Sequence, residues 1–402
     1  MTVTSLQSLA IFGGPPAFAE PLHVGRPNLG DRERLMGRIE DILDRLWFTN
    51  NGPYVQAFER RVREYCGVRE CVATCNGTMA LELLMRGVGM QGEVIVPSYT
   101  FVATAHALQW QEIRPVFCDV SPETHTLDPS RVRELITPNT TGIVGVHLWG
   151  QPCEVDALEA IANEHDLQLI FDASHALGCT HQGRPIGGFG RAEVFSFHAT
   201  KVLNTFEGGA IVTDDSDLAE KLRLMRNFGF ESKDQVVYLG SNGKMSEISA
   251  AMGLTGFESI EEFTDRNLVN FEAYREQLES VEGLSLLKTP EGERGNHHYV
   301  VVTVDSEEAG LTRDELVHVL EKENVLARRY FHPGVHRMEP YRSDQPMAGL
   351  VLPVTDELSR TVMTLPTGQA VDAEAISRIG AIVRTALANP ESVRGCMAEW
   401  EG

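Results

Sequence analysis

Lys201 lies in Ser196-Phe-His-Ala-Thr-Lys201, just after the apolar run 194–197 and shortly before Phe206-Glu-Gly-Gly209. Only six lysines occur in the chain, none of them in the first 200 residues, and the other five sit in polar or charged surroundings. An amine drawn partly out of water has a lowered pKa and becomes a nucleophile toward aldehydes, forming a Schiff base. The same position would also suit a lysine whose stem lies on an apolar surface while its head stays wet. Asn76-Gly77-Thr78 leads into a helical pattern, and a helix N-terminus entered through glycine presents unpaired N–H groups and a positive dipole end to a phosphate. As a plain cap, Asn76 or Thr78 would close that helix without any ligand. Asp172 ends the apolar run 167–171, and a buried carboxylate there requires a cationic or hydrogen-bonding partner, unless it too caps a helix. Tyr99 and Phe101 follow another apolar run, where one aromatic can lie flat on a ring and the other fill the core.

Taken together, these residues match one cofactor. Pyridoxal phosphate needs an amine for its aldehyde, a carboxylate for its pyridinium nitrogen and a helix N-terminus for its phosphate. No metal is expected.

The elements that must position these residues show in the apolar periodicity. Six apolar runs, 93–97, 115–120, 142–148, 167–172, 192–197 and 208–213, alternate with helical patterns such as 78–86 and 156–165. They predict a mostly parallel sheet covered on both sides, which binds ligands at the carboxyl ends of its strands. Beyond Gly253 a charged stretch, 257–281, reads as one long helix leaving this sheet. A smaller α/β unit follows, with strands at 299–304 and 325–330 and helices at 312–323 and 372–387. The expected organisation is an N-terminal arm over 1–30 lying across another surface, a large cofactor-binding domain over 31–256, and a linking helix with a small domain over 257–402.

With 402 residues, 42% hydrophobic and 23% charged, the chain has the composition of a globular protein with a large core. A net charge of −22 disfavours nucleic acid and anionic lipid, so an anionic ligand must be held by a local cluster of donors. Arg26, in the arm, is one candidate donor for a pyrophosphate. No stretch is apolar enough for a membrane span, residues 1–10 lack the pattern of a secretory signal, and seven cysteines show no paired spacing, so a cytoplasmic location is expected.

The chain resembles the pyridoxal-phosphate-dependent sugar aminotransferases of the DegT/DnrJ/EryC1/StrS group, within the aspartate aminotransferase (fold type I) superfamily. The resemblance rests on Thr49-Asn-Asn-Gly-Pro53, Asn76-Gly-Thr78, the block 94–104, Val146-His-Leu-Trp-Gly-Gln-Pro152, Asp172-Ala-Ser-His175, the Lys201 block, Phe206-Glu-Gly-Gly209, the segment 240–247 and Tyr330-Phe-His-Pro333. It implies a large domain with a mostly parallel seven-stranded sheet plus a smaller C-terminal α/β domain. It further implies that Lys201 holds the cofactor's aldehyde carbon, Asp172 pairs with the pyridine nitrogen and Phe101 stacks on the ring. Gly77, Thr78 and Ser196 would bind the phosphate. His175 stands where many members have glutamine beside the phenolic oxygen, which leaves its charge state open. By the same resemblance Asn242 reaches the phosphate of the neighbouring subunit, making a homodimer with shared sites, and Lys244 replaces a common arginine.

The activity so implied is transfer of an amino group from L-glutamate, through pyridoxamine phosphate, to a keto group of a nucleotide-linked deoxysugar, with dTDP the expected carrier. His198-Ala-Thr-Lys201 resembles members acting at sugar C4 more than the Tyr-Pro-x-Lys of members acting at C3. A dehydrating relative carries histidine at the lysine position, and Lys201 argues against it. A 3-keto acceptor and a non-catalytic regulatory role on the same scaffold are the alternatives. Lys201 is also the expected proton carrier, with His198 next in line.

Overall fold

The computed structural model describes residues 5–344 and 349–400. Seven short runs rich in Val, Ile and Phe form one sheet: β1 (Glu70–Thr74), β2 (Glu93–Pro97), β3 (Arg114–Cys118), β4 (Thr140–Val146), β5 (Gln168–Asp172), β6 (Glu193–Ser196) and β7 (Gly209–Thr213). Their spatial order is β1-β7-β6-β5-β4-β2-β3. All neighbours run parallel except β7, which is antiparallel to both β1 and β6. Successive strand residues serve opposite layers. Cys71, Ala73 and Phe171 face one apolar layer, Val72 and Ile170 the other, so the strands read as continuous apolar runs.

The first layer is closed by α1 (Arg32–Arg45), α2 (Pro53–Cys66), α6 (Val155–His165) and α8 (Glu247–Phe257), the second by α3 (Gly77–Gly87), α4 (Ala103–Gln109) and α7 (Ser216–Met225), with α5 (Pro129–Leu135) at the edge beside β3. The expected helix over 257–281 is present as α9 (Ile260–Leu278), a few residues shorter at each end; it starts after Ser259, whose ψ of 11° separates it from α8, which ends at Phe257. α9 buries Phe263, Phe271, Tyr274 and Leu278, the three- and four-residue spacing of an amphipathic helix.

The smaller unit is a three-stranded antiparallel sheet, β8 (Leu284–Leu286), β9 (Val300–Val304) and β10 (Val362–Leu365), with α10 (Arg313–Lys322) and α12 (Ala373–Leu387) against it. The expected strand over 325–330 is only two residues long, Val325–Leu326. Its parallel partner is Leu22–His23 of the N-terminal arm, and further on Arg328 meets Thr364 in an isolated bridge. A helix the sequence reading did not anticipate, α13 (Pro390–Trp400), follows α12. The arm does more than lie across a surface. Leu9 and Ile11 are buried in the smaller unit's core, and the buried Glu323 accepts the backbone N–H of Ala10 at 2.6 Å and of Ala17 at 2.7 Å.

Two polar knots join the units. Asp119, just past β3, accepts Val354 N at 3.0 Å and Thr355 N and Oγ1 at 2.8 Å, satisfying the first turn of α11 (Pro353–Thr361). Ser98, His336 and Asp356 line up at 2.7 and 3.3 Å in the manner of a hydrolytic triad. Ser98 is fully buried and its Oγ already accepts His336 N at 3.0 Å, so this line is a structural tie.

Candidate active site

Asn76 is in the extended conformation and its side chain accepts Met79 N at 2.7 Å, capping α3. That cap leaves the amides of Gly77 and Thr78 without intrahelical acceptors, so one tripeptide supplies both cap and anion cradle. The cradle depends on close approach. A Cβ on Gly209 would sit 2.5 Å from Asn76 O and 2.7 Å from Gly77 N, and one on Gly77 would sit 3.0 Å from Ser196 Cβ. Missing side chains therefore bring the start of α3 against β6 and β7.

Asp172 is buried at the carboxyl end of β5. Ser174 donates to Oδ1 from its N at 3.1 Å and its Oγ at 2.5 Å, while Thr104 Oγ1 donates to Oδ2 at 3.0 Å. Oδ2 keeps a lone pair for a further donor. Lys201 follows β6 on a turn closed by its own N–H to His198 O at 2.9 Å. Burial pushes its amine down to about 8 against the opposing charge of Asp172. These groups, with Phe101, Ser196 and His175, line one cavity of about 270 Å³. Phe101 stands at its mouth, 58% exposed, free on one face to cover a ring.

The charge state of His175, open from sequence, follows from its neighbours. Trp149 N donates to Nδ1 at 3.2 Å, so the ring proton belongs on Nε2, which lies 3.3 Å from Tyr299 Oη. Burial holds the ring well below the usual histidine range, with Lys201 and His298 adding to the effect. His175 is a neutral Nε2–H donor.

The sequence reading missed Thr104 and the segment 296–299. Asn296 Nδ2 donates to His175 O at 2.8 Å and Leu177 O at 3.1 Å, His298 Nε2 donates to Thr200 O at 2.6 Å, and Tyr299 reaches His175. Three of the four residues at the entry to β9 thus brace both loops that carry the site. The available signal was the polar run Asn-His-His-Tyr directly before an apolar strand. Asn242 is exposed and outside its own chain's cavity, where its backbone bridges Asn227. Arg26 is exposed and does not line the cavity either.

This arrangement can be set beside known proteins. The DegT/DnrJ/EryC1/StrS aminotransferase family profile matches residues 30–384. The chain belongs to this family. A dTDP-4-amino-4,6-dideoxy-D-glucose transaminase of Shigella dysenteriae is 37% identical over 368 residues, covering 91% of this chain and 99% of its own length. A crystal structure of DesI in the presence of its TDP-sugar product superposes with a TM-score of 0.93 at 48% identity, covering 97% of this chain and 99% of that one. The Bacillus subtilis NtdA structure, with bound PMP, superposes with a TM-score of 0.81 at 27% identity, covering 89% of this chain and 82% of that one.

The aminotransferase is pyridoxal-phosphate-dependent, and its residues fit that group. Gly77 and Gly209 let the start of α3 pack against β6 and β7, which sets the free Gly77 and Thr78 amides in the cavity for a phosphate; Asp172 keeps an open lone pair, and Lys201 is the amine at the cavity wall.

Proposed function

We propose that this nucleotide-sugar aminotransferase moves the amino group of L-glutamate to the C4 keto group of a dTDP-linked deoxysugar. The observation that carries the reading is the convergence of Lys201, Asp172 and the amides of Gly77 and Thr78 on one cavity. The relatives' names supply the acceptor class, and the resemblance of the His198-Ala-Thr-Lys201 block to members acting at C4 supports that position. When bound, pyridoxal phosphate supplies an aldehyde and an electron-withdrawing ring on which an amino group is exchanged. Asp172, held by Ser174 and Thr104, would stabilise a proton on the ring nitrogen. Nε2–H of His175, which lies 3.3 Å from Tyr299 Oη, would be the neutral donor available to a phenolic oxygen of the cofactor. With the cofactor bound, the Lys201 amine, with its lowered pKa, would carry the proton between the substrate carbon and the cofactor's aldehyde carbon. Asn76 through Thr78 anchor the phosphate against the helix N-terminus.

The active form in this reading is a homodimer in which Asn242 of the partner subunit completes the phosphate site. Trp47, Phe48, Phe206, Phe228 and Leu239 are 45–70% exposed and available to a partner, and Lys244, two residues from Asn242, lies over the Phe228 ring at 4.8 Å. The decisive experiment offers purified enzyme L-glutamate with a panel of 3-keto and 4-keto nucleotide sugars and locates the new amine by NMR. Amination at C4 is expected. Product aminated only at C3, or an amino donor other than glutamate, would replace the corresponding part of the reading.

A further inference from the structure

Trp149 follows β4 and is buried, yet its backbone is left-handed, with φ 62° and ψ 5°. A bulky L-residue occupies that region only where its neighbours over-determine it. We propose that Trp149, locked in place by His125, is the positioning residue that sets the tautomer of His175. The inference rests on His175 being the neutral donor to the cofactor's phenolic oxygen, as read above.

Hydrogen-bond polarity gives the first reason. Tyr299 Oη, on the Nε2 side of His175, can accept or donate and so suits either tautomer. A backbone N–H can only donate. Trp149 N, 3.2 Å from Nδ1, therefore leaves the imidazole one form, neutral with its proton on Nε2; a ring protonated on both nitrogens would set N–H against N–H.

The second reason is what holds that amide in place. The indole is itself an obligatory donor, and its Nε1–H goes to Nδ1 of His125 at 3.2 Å. Its ring stacks on Phe331, with centroids 5.3 Å and planes 19° apart, and on His175 at 5.9 Å and 28°. His125 is also buried and left-handed, at φ 62°, with its N–H donated to Ser121 O at 2.9 Å and its ring in a T-shaped contact with Tyr99 at 5.8 Å. Burial pushes the His125 ring down to about 4, so it stays neutral and keeps Nδ1 bare to accept. Trp149 thus donates twice, each time to a histidine Nδ1, from its side chain to His125 and from its backbone to His175. Without the first bond the left-handed backbone loses a restraint. Relaxing φ turns the peptide plane and takes the N–H away from His175, whose proton is then free to move to Nδ1, leaving Nε2 a bare acceptor. Neither Trp149 nor His125 lines the cavity, so neither touches the cofactor itself.

Two readouts test this. In cofactor-free enzyme carrying isotope-labelled histidine, ring-nitrogen NMR reads the tautomer of each imidazole, the His175 signals being those missing from His175→Gln. Wild-type His175 and His125 should each hold the proton on Nε2. Trp149→Phe, which keeps a stacking ring but no N–H, and His125→Leu should each give His175 a mixture of tautomers. His125→Asn, whose amide oxygen stands where Nδ1 stood and which tolerates positive φ, should keep the wild-type form. In holoenzyme, Trp149→Phe and His125→Leu should raise the spectral pKa of bound cofactor by about one unit, the size of a lost hydrogen bond to a charged oxygen, and His125→Asn should move it little. A packing role alone would lower stability and move neither readout. An unchanged His175 tautomer in folded Trp149→Phe and His125→Leu would overturn the inference. Should neither variant fold, wild-type enzyme still decides, because a proton on Nδ1 of His175 or of His125 would overturn it as well. His175→Leu separates the two readings. If it leaves the spectral pKa unmoved, the phenolic-donor reading of His175 falls and this one with it; if it shifts that pKa while Trp149→Phe and His125→Leu do not, the inference falls alone.

Discussion

Two opposing fields act on the Lys201 amine. Desolvation disfavours ammonium and is the stronger, while the charge of Asp172 favours it. A lysine whose folded pKa is depressed to about 8 is charged below that value and neutral above it. Uptake of pyridoxal phosphate by cofactor-free enzyme should therefore accelerate as pH rises through about 8 and then level off, followed by absorbance after rapid mixing. In Asp172→Asn the supporting charge is gone, so the midpoint should move to lower pH; a midpoint that stays or rises would mean the two groups do not communicate. Lys201→Arg should keep the fold and lose turnover by orders of magnitude, because guanidinium cannot form the Schiff base, and a variant that still transfers amino groups would remove Lys201 from the mechanism.

His175 supports a sharper contrast. Its Nδ1 is occupied by Trp149 N, so only Nε2–H matters to the site. Glutamine in its place retains a neutral donor and should keep most activity and the spectral pKa of bound cofactor. Leucine should shift that spectral pKa and lower kcat, read by a pH titration of the absorbance. Lys201, Asp172 and Asn76-Gly77-Thr78 were legible because each announces itself against its immediate neighbours in the sequence. Thr104 and Tyr299 were not, since an isolated threonine or tyrosine carries no local sign that the chain will fold it against a residue 68 or 124 positions away.

Among the elements, the approach of α3 to β7 matters most. Gly209→Ala places a methyl group within 2.5 Å of Asn76 O, and the helix start must retreat from the phosphate position. The variant should release pyridoxal phosphate more readily and lose about 1–3 kcal/mol of stability, the usual range for overpacking. Cofactor retention on dialysis and urea unfolding check the two effects separately. Six of the seven sheet strands were readable from sequence because each is apolar on both faces and bounded by small or polar residues; β1, Glu70-Cys-Val-Ala-Thr74, was not, since it is short, begins on a charge and holds only Cys, Val and Ala as apolar residues. Two other readings missed for physical reasons. Val325 onward has strand-like residues, but beyond Leu326 the only pairing is the Arg328–Thr364 bridge. The helix α8 was not anticipated, because Ala250, Ala251, Met252, Gly253 and Gly256 are buried on nearly every side and no polar face marks a helical period.

For the whole molecule, the arm is part of the fold. Deleting residues 5–20 strips the buried Glu323 of two backbone donors and uncovers the sites of Leu9 and Ile11. Lost hydrogen bonds to a charged group and newly exposed apolar sites both destabilise, so the truncated protein should unfold at markedly lower urea. Adding Glu323→Leu to the truncation should recover part of the loss; no recovery would assign the whole effect to the apolar contacts. The shared-site dimer makes a complementary prediction. Mixing Lys201→Ala subunits with Asn242→Ala subunits should restore activity, because one site of each hybrid dimer draws both intact residues. Absence of restoration under conditions of demonstrated subunit exchange would refute sharing.

The bracing segment Asn296–Tyr299 has a consequence for synthesis. A chain grows from its N-terminus at about 5–20 residues per second, and its domains fold as they emerge. Phosphate cradle, Asp172 and Lys201 all leave the ribosome well before the residues that fix His175 O, Thr200 O and the His175 ring. A nascent large unit would present the amine and the carboxylate on loops not yet fastened. Retention of cofactor therefore acts as a mark of translation past Tyr299, and stalled fragments ending before Asn296 should emerge colourless while full-length chains from the same reaction carry the yellow chromophore.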